Sequence, residues 1–215
     1  LNIYYNGYSC ARMGDYGITS MLLDALIHGG EGSPFSQPPR VIFAAGNERT
    51  PDPQQRRVCG HRATIAPPAG AKNPISVGAS FADVGYFGDN ELVDTPFTSW
   101  GPTDDGRIKP DLVAPGATFW ELGYELGYYP VLGLIAPYWD PQLSPPGVYG
   151  MMAGTSQACA TLTGVATLLL DDYKDQFPNE PLPLNSTLKA ILIHNVRQTS
   201  TGPKFWRGFG FARAK

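Results

Sequence analysis

No run of apolar residues in this sequence is long enough to cross a bilayer as a helix, which argues against a helical membrane span. Neither sign of charge dominates. Sixteen basic residues against 19 acidic ones give a net charge of −3, with no long run of either sign. That balance argues against nucleic acid or an anionic membrane surface as the principal partner. Cysteine is scarce, and Cys10, Cys59 and Cys159 do not fix a redox compartment. Cys10 and Cys59 stand in loop-like sequence and could pair in a secreted protein, whereas Cys159 stands in an apolar helical stretch and reads as a small core residue. Internal repeats and low-complexity linkers are absent. The chain opens on Leu1 with no signal-peptide pattern, so it reads as a piece, or a processed product, of something longer.

What is present suffices for one sizeable domain. The 215 residues are 42% hydrophobic, a globular rather than a disordered composition. Glycine (25) and proline (21) are abundant, which predicts long ordered loops and compact turns. Residues 18–28 (ITSMLLDALIH) have helical apolar spacing and end at Gly29-Gly30, a helix stop. Short apolar runs at 41–45 (VIFAA), 75–79 (ISVGA) and 111–114 (DLVA) predict buried strands, the last closed by Pro115-Gly116. Residues 117–150 are rich in Tyr, Gly and Pro and read as an insertion rather than a regular element. A helix is predicted over 156–175. A second, over 186–196, has Ser186 as its N-cap. The tail FWRGFGFARA predicts a short strand with aromatic anchors. Strands alternating with loops and then helices predict an α/β fold of three layers, a mostly parallel sheet with helices on both faces, in which ligands bind beyond the carboxyl ends of the strands.

Two residues stand where such a site would be. Ser156 follows Gly154-Thr155 at the mouth of the 156–175 helix, where backbone N–H groups and the helix dipole favour an approaching negative charge. A serine there is either a plain helix N-cap or a nucleophile awaiting a base. Asn47 closes the 41–45 strand in A-A-G-N. It is either a turn asparagine tolerant of left-handed backbone or a side-chain amide able to donate to an oxyanion. The G-x-S-x-G elbow of the α/β-hydrolases does not surround Ser156. Asp83, Asp89, Asn90, Glu91 and Asp94 form an acidic stretch that reads as a solvated loop; oxygen-rich loops can bind Ca²⁺, but the spacing matches no ligand motif, and no metal ligand is assigned. Asn185-Ser186-Thr187 fits a glycosylation sequon, relevant only in a eukaryotic secretory setting.

Taken in order, VIFAAGNE, AKNPISVGA, FTSWGPTDDGRIKPDLVAPG and GTSQACATLTGVATLL resemble four consecutive blocks of the subtilisin-like serine peptidases, the subtilases. LKAILIHNV resembles the helix after the nucleophile helix of that family, and GFGFARA its closing segment. The resemblance covers roughly residues 1–212. The long stretch between Gly116 and Gly154 looks most like the larger bacterial alkaline subtilases. The resemblance implies that Ser156 is the nucleophile, that the Asn47 amide and the Ser156 N–H form the oxyanion hole, and that Ala44, Ala45 and Gly46 line the pocket for the residue before the scissile bond. Gly154 and Thr155 complete the nucleophile block. Asn6-Gly7-Tyr8-Ser9 stands where the family commonly has Asn-Ser-Trp-Gly, so Gly7, Tyr8 and Ser9 would pair with the substrate backbone as an added strand. One departure is G-T-S-Q-A-C-A-T where the family often has G-T-S-M-A-T-P-H; the missing proline is not part of the chemistry.

The family mechanism also needs a histidine base and an aspartate that orients it, in chain order Asp, His, Ser. The 46 residues before Asn47 resemble neither block. His28 and His194 lie on predicted helices, and His61, in C-G-H-R-A-T, follows Asn47 instead of preceding it. The expectation is therefore residues 1–215 as the C-terminal portion of a subtilase catalytic domain, without the Asp- and His-bearing part and inactive alone. Its substrate would be a polypeptide, hydrolysed through an acyl-enzyme on Ser156. The alternative is a non-catalytic subtilase-like module that binds peptides or serves as a scaffold. The chemistry requires no cofactor, although family members often carry structural calcium. Family habit further implies secretion and an inhibitory propeptide, with no nucleic-acid or membrane partner.

Overall fold

Alternation in Ile75-Ser-Val-Gly-Ala-Ser-Phe81 builds the centre of the molecule. In this computed structural model, residues 12–29, 35–49, 62–82, 93–119, 131–132, 134–140, 147–198 and 202–213 are described. The elements are α1 (Ile18–His28), β1 (Ile42–Ala44), β2 (Ile75–Phe81), β3 (Leu112–Phe119), β4 (Val131–Leu132), β5 (Leu134–Asp140), β6 (Gly147–Met152), α2 (Thr155–Gln176) and α3 (Asn185–His194). β1, β2 and β3 are parallel neighbours, with Ile42 opposite Ile75 and Val77 opposite Leu112, and β4 adds antiparallel to the end of β3. The expected α/β class, a parallel sheet with helices, is what forms.

β2 is buried along its whole length because both of its faces are covered. Ile75, Val77 and Ala79, with Leu112 and Ala114 of β3, meet Ala158, Leu162 and Ala166 of α2 and Leu188 and Leu192 of α3 in one cluster. The α2 positions recur every fourth residue, and two of the three are alanines, so the helix axis lies close to the sheet. The opposite face has little room. A Cβ at Gly78 would come within 2.9 Å of Thr98 Oγ1 and of Val113 Cγ1 and within 3.0 Å of Pro110 Cγ.

Several expectations shift. β3 runs through Pro115-Gly116 instead of ending there: Ser80 pairs with Pro115 and Phe81 with Ala117, so Gly116 is the extra residue of a bulge. Residues 117–150 contain β4 and an antiparallel hairpin, β5 with β6, which the Tyr, Gly and Pro content had concealed. Ser186 is not the N-cap of α3. Leu184 holds that position, and Asn185 spends its amide on tertiary bonds, accepting from Val41 N–H (2.9 Å) and donating to Asn73 O (2.7 Å). At 3% exposure, Asn185 is closed to glycosylation in the folded chain. Among its described residues the tail forms no continuous strand. It contributes isolated bridges, with Phe211 pairing beside Val113 and Arg197. Cys159 is partly buried, and burial raises its thiol pKa. Cys10 and Cys59 lie outside the described residues.

Helix α1 forms as its spacing predicts and stops at Gly29, whose φ of +73° lies in the left-handed region. Its orientation is unexpected. Ser20, Asp24 and Ile27 face inward, while Ile18 (70% exposed), Met21 and Leu22 face out. Asp24 explains the inversion: its carboxylate accepts from Tyr16 Oη (2.7 Å), Lys72 N–H (3.0 Å) and Asn73 N–H (2.7 Å), fixing the entry to β2.

A second carboxylate locks that entry more deeply. Asp111 Oδ2 accepts from Ser76 N–H (2.7 Å) and from Lys109 Nζ (2.8 Å), while its Oδ1 pairs with Lys189 Nζ of α3 (2.9 Å). Lys109 and Asp111 are both buried. Burial drives the Lys109 ammonium down to about 8, against the opposing pull of Asp111. Removing one member of such a group strands the others without a counter-ion. Asp111→Asn is expected to cost about 3–5 kcal/mol in denaturant unfolding; a loss below about 1 kcal/mol would show that the group is not a structural lock.

Candidate active site

Three chain segments meet where β1 ends beside the bulge within β3. From β1 the chain passes through Ala45, whose N–H still bonds to Val77 O (2.8 Å), into Gly46 at φ +108° and then Asn47. Ala45 is buried and Ala44 half-buried. The left-handed residue of this turn is Gly46, not Asn47, so the turn does not require an asparagine for its backbone.

From β3, Gly116 accepts a hydrogen bond from Gly154 N–H (2.9 Å). A Cβ at Gly116 would come within 2.7 Å of Gly154 O and 2.8 Å of Ala79 Cβ, so only glycine permits this approach of strand to helix. Gly154 is the N-cap of α2, at φ +148°. Ser156 is the second residue of the helix and makes no capping hydrogen bond. The plain N-cap reading of Ser156 is therefore not realised.

Thr155 ties the two segments together. It is 1% exposed. Its N–H donates to Asn47 Oδ1 at 2.9 Å, its hydroxyl donates to the same oxygen at 3.0 Å, and Gly46 N–H donates to that hydroxyl at 3.2 Å. A backbone N–H can only donate, so the atom facing it must be the amide oxygen of Asn47. The Asn47 NH₂ is left unspent: no described residue accepts from it. The Ser156 N–H is one of the helix's orphan donors and likewise has no partner among the described residues. Asn47 and Ser156 are both exposed. Both free donors stand at the N-cap glycine, with Asn47 Nδ2 3.5 Å and Ser156 N 3.8 Å from the point that a Cβ on Gly154 would occupy, at the positive end of a 22-residue helix whose exposed second residue is Ser156. Such an arrangement can take up negative charge developing on an oxygen next to the hydroxyl.

Other candidates fall elsewhere. His28 lines a cavity of about 350 Å³ with Lys72, Asn73 and Asn185, at the entry end of β2, the end of the parallel strands opposite the Asn47 turn. His194 ends α3 beside Val165 and Leu169, nine or more residues along α2 from Ser156. His61 lies outside the described residues, as do Gly7, Tyr8 and Ser9. Of the acidic stretch, Asp83, Asp89, Asn90 and Glu91 are also outside them. Asp94 is described, and its Oδ2 is taken by Arg207 (Nη2 3.0 Å, Nε 3.2 Å). Burial raises the Asp94 pKa to about 6 despite that cation. Among the described residues no three His, Cys, Asp or Glu side chains group as metal ligands. The tether role of Thr155 and the close approach at Gly116 had no separate signal in sequence, since both follow from contacts between segments far apart in the chain.

The sequence model of the subtilase family matches residues 31–211. Serine protease AprX of Bacillus subtilis is 33% identical over 140 residues, 65% of this chain and 28% of AprX. The serine protease/ABC transporter B family protein tagB of Dictyostelium discoideum is 36% identical over 120 residues, 51% of this chain and 6% of that protein. Among solved structures, a lanthipeptide protease superposes with a TM-score of 0.58 at 22% identity, covering 81% of this chain and 50% of its own, a likeness of fold. The Clostridium perfringens CspB protease superposes at 0.50 with 25% identity, covering 70% of this chain and 27% of its own. The chain thus spans less than a third of these curated relatives and half or less of these solved chains.

The tether predicts a measurable cost. Thr155→Val keeps the shape but removes the hydroxyl, leaving Gly46 N–H without its acceptor and Asn47 with one donor fewer. Unfolding free energy should fall by about 1–3 kcal/mol; a change under about 0.5 kcal/mol in a denaturant titration would mean that the tether carries no strain of the turn.

Proposed function

The chain belongs to the subtilase family, and from that premise we propose that it is the nucleophile-bearing, C-terminal portion of a serine endopeptidase catalytic domain. The observation that carries this reading is the orientation of Asn47. Thr155 occupies its amide oxygen, so the NH₂ group stays available beside Ser156.

In the proposed reaction, Ser156 Oγ attacks the carbonyl carbon of the scissile peptide and gives its proton to a base. The carbonyl oxygen takes the negative charge and is held by the Asn47 NH₂ and the Ser156 N–H. Collapse of that intermediate breaks the C–N bond, and the amine leaves with the proton returned by the base. Water then hydrolyses the ester on Ser156 by the same steps in reverse roles. The base and its orienting carboxylate come from polypeptide outside these 215 residues, preceding them in the family's chain order. Without those two groups Ser156 stays protonated, and the 215-residue chain alone turns over no peptide at an enzymatic rate. Ala44, Ala45 and Gly46 line the pocket for the residue before the scissile bond, and Gly7, Tyr8 and Ser9 carry the substrate backbone. The substrate is a polypeptide. Secretion, an inhibitory propeptide and structural calcium belong to the same reading.

Two substitutions in the full-length protein test it. Ser156→Ala should abolish peptide hydrolysis while leaving the circular dichroism spectrum unchanged. Asn47→Asp keeps the oxygen that Thr155 needs but removes the NH₂ donors; kcat should fall roughly 10²–10³-fold, a magnitude carried over from the same amide in subtilisin. Full activity in Ser156→Ala would remove the nucleophile assignment. Absence of hydrolysis in the unmutated full-length protein, with peptide binding retained, would favour the non-catalytic module.

A further inference from the structure

Asn47 sits in a turn that is fastened from two sides, and only one of them is the helix. On the other side stands Ser99. Its N–H donates to Gly46 O at 2.9 Å, its Oγ accepts from Glu48 N–H at 3.2 Å, and its hydroxyl proton goes to Glu48 Oε2 at 2.6 Å. Ser99 therefore holds the residue before Asn47 and the residue after it. The side chain of Glu48 folds back under the turn, so that a Cβ at Gly46 would overlap its carboxylate.

Ser99 is itself held on both sides. It is fully buried. Its neighbour Thr98 accepts from Ala79 N–H on β2 through Oγ1 (2.9 Å). Its other neighbour, Trp100, donates its N–H to Thr64 Oγ1 (2.8 Å), and its carbonyl accepts from Thr64 N–H (2.8 Å). The next backbone bond along the turn, Arg49 N–H to Phe97 O (3.3 Å), belongs to the same pairing of segments. Burial raises the Glu48 pKa, and the Ser99 hydroxyl opposes that rise by bonding the carboxylate.

We propose that Ser99, with Glu48 as its second arm, is a positioning residue for the Asn47 amide. Neither need touch the substrate. By pinning both flanks of Asn47, they fix the direction in which its NH₂ points, while Thr155 fixes the amide plane. This inference rests on the reading of Asn47 as the oxyanion donor.

The test is a kinetic cycle in the full-length protein on an uncharged chromogenic peptide. Ser99→Ala should lower kcat roughly 10-fold with little change in KM, a loss of orientation smaller than loss of the amide itself. In an Asn47→Asp background the same Ser99→Ala change should have no further effect on kcat, because no amide remains to be aimed. Glu48→Leu should repeat the kcat loss, and Glu48→Gln, which keeps an acceptor for the Ser99 hydroxyl, should recover most of it. Glu48 is only partly buried, so these variants keep the test open should Ser99→Ala fail to fold. An equal kcat loss in both backgrounds, or none in either, would overturn the positioning role. If Asn47→Asp alone leaves kcat intact, the oxyanion reading fails first, and the proposal with it.

Discussion

Two hydrogen bonds into one oxygen, Asn47 Oδ1, join the end of β1 to the start of α2 across 108 residues of sequence. They are the constraint on which the site depends. A primary amide offers an acceptor at one end and two donors at the other, so occupying the oxygen commits the nitrogen to whatever approaches from solvent. Thr155 supplies both donors from a buried position and accepts a third bond from Gly46. The exposed chemistry of Ser156 and Asn47 is thus set by a residue that solvent never reaches.

That constraint has meaning only on a frame that brings β1 and α2 together. The frame is a parallel sheet whose central strand is buried on both faces, with α2 laid against it through Ala158, Leu162 and Ala166. Gly116 and Gly154 let the helix mouth come within hydrogen-bond range of β3. At the far end of the sheet, Asp111 gathers Lys109, Lys189 and the start of β2, and Asp24 fastens α1 to the same entry. Polar locks hold the entry end of the strands, and small residues permit close packing at the carboxyl end. The division suits a fold in which the loops beyond the carboxyl ends of the strands carry the site.

Much of this was legible in the sequence where the signal is local. Helix α1 and β2 follow from spacing and β-branched residues, and Gly29 marks its helix end. The G-T-S and A-A-G-N blocks flag Ser156 and Asn47 because their neighbours are small and their order matches a family. Contacts made at long range were not legible. Spacing alone cannot say that α1 buries Asp24 and exposes Leu22, since the choice is made by Lys72 and Asn73, 48 and 49 residues away. Likewise Ser186 looked like a cap because nothing local reveals that Asn185 is held by Val41 and Asn73. Pro115-Gly116 reads as a strand end, yet the sheet absorbs it as a bulge because Gly116 must meet Gly154. Ser99 falls in the F-T-S-W block, yet nothing local shows that it holds a turn 51 residues away.

The proposed chemistry depends on Ser156 Oγ forming the acyl-enzyme. The most direct measurement is to treat the full-length protein with a fluorophosphonate, which esterifies activated serines, and to locate the adduct by peptide mass spectrometry alongside residual hydrolysis. One adduct is expected, on Ser156, accumulating in step with the loss of peptide hydrolysis. An adduct on a different residue, or hydrolysis that is lost while Ser156 stays unmodified, would contradict it.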